Sequence, residues 1–224
     1  MPDNFPQDKS SGDYYLSIGK ALAGLVGTGA AELFDLILTP PLQKRQAEWL
    51  NGLHERIKSL EQEKLITLED LSNNDVFINL VLKATSEALK THKEEKIKAY
   101  QNIIINSIID TSLDEFRANV LINFLNSLTT WHIDILSFLD APYKRKDRVY
   151  EGRSTDSLNR IILDAYPQLK KEKQYHELIW NDLVSYGLIE KRGLKDMFRG
   201  GLSGITTPLG KELLHFISDP EIKT

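Results

Sequence analysis

The chain has no cysteine. That excludes disulfide staples, thiol catalysis, iron–sulfur clusters and cysteine-ligated zinc, and it makes a reducing cytoplasm the expected compartment. Histidine is sparse as well: His54, His92, His132, His176 and His215 include no HExxH pair and no His-x3-His spacing, so no local metal site is expected. There is no GxxxxGK[ST] loop and no GxSxG elbow. Gly24, Gly27 and Gly29 run in the reverse order of a dinucleotide fingerprint and follow no strand pattern. No arginine lies four to six residues before any histidine, which disfavours the helical ribonucleases that use such a pair. Long apolar runs are missing too. Only Ala21–Ala31 is free of charge in the most apolar segment, against about 20 residues for a membrane span. These absences lead to the expectation of a non-enzymatic chain with no cofactor.

What is present is helical patterning. With 41% hydrophobic and 27% charged residues over 224 positions, the chain has the composition of a globular protein with an ample core. The polar stretch 1–12, with two prolines, reads as a flexible lead-in with no basic signal region. From Tyr14 to Leu38, Gly19, Ala23, Gly27 and Ala31 recur in steps of four. They form a small-residue ladder for close helix packing or for a membrane surface. Pro40-Pro41 restarts the chain at a first helical turn. The helix that follows sets Leu50, Leu53, Ile57 and Leu60 at 3-4-3 spacing under a charged face. Further helices are expected at Asn74–Thr91, Lys93–Asp110 and Leu113–Leu128, the last with Phe116, Val120, Leu121, Phe124 and Leu128 inward. No strand pattern occurs before residue 188.

The C-terminal third has a different order. Thr129 or Thr130 can cap a helix over WHIDILSFL, a basic loop covers 141–153, and helices follow at Ser154–Leu169 and Tyr175–Tyr186. Tyr186-Gly187-Leu188 closes the last of these. A short strand, a Gly-rich basic hairpin, a second strand at Gly204–Thr207 and a final helix capped by Thr207-Pro208 complete the chain. This order resembles the back half of a winged helix. The expected architecture is therefore mainly α: an all-helical bundle over 13–128, then a winged-helix domain with a small two-stranded wing over 129–218, and a tail over 219–224.

The net charge of −4 hides an imbalance, since 141–224 holds 15 Lys/Arg against 12 Asp/Glu. Lys191, Arg192, Lys195 and Arg199 flank an apolar Met197-Phe198 tip, and these six form the candidate wing contact. Leu202 would extend its apolar part. The helix Tyr175–Tyr186 carries Glu177 and Asp182 and no Lys or Arg, which suits it poorly to reading bases beside phosphates.

The layout as a whole resembles the abortive-infection (Abi-alpha) group of bacterial proteins. The residues that carry the resemblance are the apolar helix Gly19–Leu38, Pro40-Pro41 with Arg45 and Trp49, the helical start Thr91–Lys96, and the winged-helix-like tail. The resemblance implies a bacterial cytoplasmic protein linked to phage defence, acting by interaction or by membrane contact, and it brings no catalytic residues. The leading expectation is a protein-docking module. The alternatives are a DNA-binding regulator using the basic wing and a membrane-active effector using the Gly19–Ala31 ladder. Self-association is a further expected mode of contact.

Overall fold

The computed structural model describes residues 40–63, 65–110, 112–141, 157–196 and 205–220. The chain divides into two compact units, Met1–His92 and Lys93–Thr224. The expected boundary at 128/129 thus falls inside the second unit. The lead-in, the Gly19–Ala31 ladder and the tip Met197-Phe198-Arg199 with Leu202 lie outside the described residues.

In the first unit, α1 (Pro40–Gln62), α2 (Leu68–Ser72) and α3 (Asp75–Lys90) are described. α1 buries Trp49, Leu53 and Leu60 at the i, i+4, i+11 spacing of one helical face. α3 answers with Leu80, Ala84 and Ala88, whose small side chains allow close approach. The polar edge of Trp49 is satisfied inside this contact, its Nε1–H donating to Thr85 Oγ1 at 3.0 Å. Thr67 and Asn74 cap α2 and α3 by accepting from Asp70 N–H and Phe77 N–H.

The second unit contains α4 (Glu94–Ile109), α5 (Glu115–Ser127), α6 (Thr130–Asp140), α7 (Leu158–Ala165), a 3-10 turn at Pro167–Lys171, α8 (Lys173–Ser185) and α9 (Pro208–Ile217). α9 packs on α4 and α6, α4 on α5, and α8 on α6. The second half of α4 is buried on nearly every side from Asn102 to Asn106. Its two asparagines are compatible with that burial because they bond the last carbonyls of α9, which have no intrahelical partner. Asn102 Nδ2 donates to Ile217 O at 2.7 Å, and Asn106 Nδ2 donates to Phe216 O and Ser218 O at 2.9 Å each. Arg117 of α5 holds α9 from another side, with Nη2 at 2.6 Å from Glu212.

Apolar periodicity placed α5 correctly but assigned part of its inward face wrongly. Ala118, Leu121, Ile122 and Leu125 are buried, whereas Phe116 is 74% exposed. α8 ends as its sequence suggests. Gly187 takes a φ of 70°, and the N–H groups of Gly187 and Leu188 bond Val184 O and Leu183 O in a Schellman closure.

The expected winged helix with its two-stranded wing is overturned. Among the described residues there is no strand, and Ile189 forms only an isolated antiparallel pair with Thr206. Two hydrogen bonds flank it, Glu190 N–H to Ile205 O at 2.8 Å and Thr207 N–H to Leu188 O at 3.0 Å. Beyond that pair the neighbouring backbone groups are committed elsewhere. Arg192 O accepts from Trp180 Nε1, Leu194 O from Asn159 N–H and Asp196 O from Leu158 N–H. Ile205 N–H turns to Leu139 O of α6. The segment after Ile189 therefore folds back onto α7 and α8 instead of extending a ladder.

Candidate functional site

That fold-back builds a groove in the second unit. One wall is a stripe of α8, Lys173, Glu177, Trp180 with Asn181, and Val184, which follow one another at helical spacing. The other wall is the segment Arg192–Lys195, with Asn159 of α7 at the end. The groove encloses about 480 Å³ and opens to solvent. Trp180 anchors it: the ring is buried, and its Nε1–H holds Arg192 O at 3.0 Å. Asp196 closes the segment into a tight turn, its carboxylate accepting from Gly193 N–H at 2.8 Å while its own N–H bonds Gly193 O at 2.9 Å.

The charges of the groove are unequally engaged. Arg192 is bound by Glu190, with Nε and Nη2 both at 2.7 Å from Oε2. Lys173 and Lys195 are exposed and have no ion pair among the described residues. On the outer side of α8, Tyr175 and Leu178 are 64% and 52% exposed, an apolar edge on an otherwise polar helix face.

Of the six residues expected at the wing, Arg192 and Lys195 reach the groove, Lys191 is exposed but does not line it, and Met197, Phe198 and Arg199 are not described. Sequence reasoning missed Lys173, Glu177, Trp180 and Asn159. The α8 stripe carried a signal, since its members recur every three to four residues.

One constellation has the residue types of an acyl-transfer triad. His132 Nδ1 lies 2.8 Å from Thr129 Oγ1, and Nε2 lies 3.2 Å from Asp182 Oδ2. The roles do not match that chemistry. Thr129 N–H also donates to Nδ1, at 3.1 Å, so the lone pair that would take the hydroxyl proton is already occupied. Nε2–H then faces Asp182, and the imidazole acts as a cap for α6 and a tie to α8. Burial pushes the His132 pKa down, against the opposing pull of Asp182. His176 is buried with Nε2 unpartnered among the described residues, and burial lowers its pKa too, with Glu177 pulling the other way. His54, His92 and His215 are exposed.

Among the described residues no three His, Asp or Glu side chains gather at a metal-holding distance. Nor is any described helix long and apolar enough to cross a membrane.

Comparison with known proteins adds little. Over 131 residues the chain is 28% identical to interferon gamma of Canis lupus familiaris and of Vulpes vulpes, covering 53% of this chain and 78% of each relative. At that identity the likeness decides no family and assigns no residue a role. No family model matches, and no solved structure matches at a significant level.

Proposed function

We propose that this protein is a non-enzymatic interaction protein whose docking surface is built on α8, with the groove against the Arg192–Lys195 segment on one flank and Tyr175 and Leu178 exposed on its outer side. The observation that carries this reading is the pairing of a built, open groove with an exposed aromatic and an exposed aliphatic side chain on the same helix. Large exposed apolar side chains are what protein interfaces use as anchors. The Thr129–His132–Asp182 cluster, which has catalytic residue types, is tied into helix capping and supplies no free base. The resemblance to the abortive-infection group adds phage defence in bacteria as the setting in which to seek the partner.

The test places a photo-crosslinking amino acid at position 178 in cells that make the protein. A discrete protein adduct is expected, and it should be lost when Tyr175→Ala is added. A probe at exposed Asn123 on α5 should give none. The same protein should leave mixed-sequence duplex DNA unbound at about 50 mM salt. DNA binding that collapses between about 50 and 200 mM salt would instead identify a phosphate-contacting regulator.

A further inference from the structure

We propose that the groove takes an acidic, extended peptide segment of the partner protein, an inference that rests on the docking reading above. The whole chain carries −4, so it offers a polyanion no long-range attraction, and any acidic ligand must be held locally. The groove supplies the local field. Lys173 stands at the start of α8 and Lys195 on the facing segment, both exposed and both without an ion pair among the described residues. Arg192 adds a third cation, partly spent on Glu190 at 2.7 Å.

Glu177 narrows the class of ligand. It lies on the same stripe as Lys173, one turn further along α8, and gives the groove an acceptor among its cations. A peptide backbone meets that acceptor with an N–H while its carboxylates meet the lysines. A phosphate backbone brings only acceptors there and is repelled. The apolar lining of the groove, Trp180, Val184 and Leu194, then favours a segment in which acidic and apolar residues alternate.

The probe is a fluorescein-labelled peptide of alternating Glu and Leu, with the Gln/Leu peptide as its neutral counterpart, titrated by anisotropy against the full chain at about 150 mM salt. The Glu/Leu peptide should bind and the Gln/Leu peptide should not. Lys173→Glu with Lys195→Glu should weaken binding by about tenfold or more, and Lys173→Gln with Lys195→Gln by less. The control Lys58→Glu with Lys211→Glu changes the net charge equally at exposed positions that do not line the groove and should leave binding unchanged. Unchanged melting curves establish that all variants are folded. No binding of the Glu/Leu peptide overturns the proposal, as does equal weakening by the control pair. Tighter binding of duplex DNA through the same two lysines also overturns it. An adduct at position 178 that survives the Lys173/Lys195 reversal would refute the acidic class while leaving the docking reading in place.

Discussion

Gly210 stands in the first turn of α9, where that helix meets the closure of α8. A Cβ built there would collide with the carbonyl oxygen of Leu188 and would lie 2.7 Å from Thr206 Cγ2. The carbonyl cannot easily give way, because the turn that carries it is fastened to the start of α9. Leu188 O accepts from Thr207 N–H, and Thr207 Oγ1 is itself engaged twice, donating to Gly187 O at 2.6 Å and accepting from Gly210 N–H at 3.1 Å. Backbone is pressed against backbone here, so the requirement for glycine is steric and not a matter of φ. Gly210→Ala would gain helix propensity of up to about 1 kcal/mol in an open helix. At this position overpacking outweighs it, and a net loss of about 1–3 kcal/mol is expected. Urea denaturation followed by tryptophan fluorescence checks this. A variant as stable as the parent would mean that α9 can lift away from Leu188 at little cost.

Between elements, α6 and α8 share a contact that burial makes sensitive to pH. His132 ties the start of α6 to Asp182 of α8, and His176 is buried in the first turn of α8. Both pKa values are lowered from 6.5 by burial. A base with a depressed folded pKa takes up its proton more readily when unfolded. Its stabilising contribution is therefore complete above about pH 6.5 and shrinks as pH falls toward the folded value. Asp182 and Lys96 also face His132, the first opposing and the second reinforcing the depression. The melting temperature should therefore fall as pH drops from about 7.5 to 5.5, and His176→Asn should flatten that slope. An unchanged slope in the variant would mean that His176 protonates in the folded state without penalty.

The sequence was legible at this scale wherever local chemistry sets the outcome. The limits of α3, α4, α5 and α6, the Gly187 closure and the Thr207-Pro208 start of α9 followed from periodicity and capping residues. The inward face of α5 was read correctly at Leu121 and Leu128, which are buried, and wrongly at Phe116, which is exposed, while the smaller Ala118 with Ile122 and Leu125 completes the buried face. The wing failed for a non-local reason. Trp180, Asn159 and Leu158 claim the carbonyls of Arg192, Leu194 and Asp196, and no residue near Ile189 signals those claims. The same bonds make the groove, so half of the candidate site could be read as a stripe on α8 and the other half could not.

At the scale of the molecule, the division after His92 has a thermodynamic consequence. The second unit holds a core of its own, with Ile103, Ile104, Leu121, Ile122, Leu125, Leu136, Ile162, Leu183, Leu213 and Phe216 all at 1% exposure or less. It spans residues 93–224, close to the common size of an independently folding domain. Its polar cross-links, Asn102 and Asn106 to the end of α9 and Arg117 to Glu212, begin and end within it. The groove and both buried histidines belong to it as well. Residues 93–224 produced alone should therefore melt in one cooperative transition and keep the loss of stability below about pH 6.5. The Glu/Leu peptide should bind this piece as it binds the full chain. Cutting instead at 128/129 removes α4 and α5, which strips the carbonyls at the end of α9 of both asparagine donors and Glu212 of its arginine. That shorter piece should show no cooperative melt. If residues 129–224 melted cooperatively and residues 93–224 did not, the unit boundary would lie where the sequence alone had placed it.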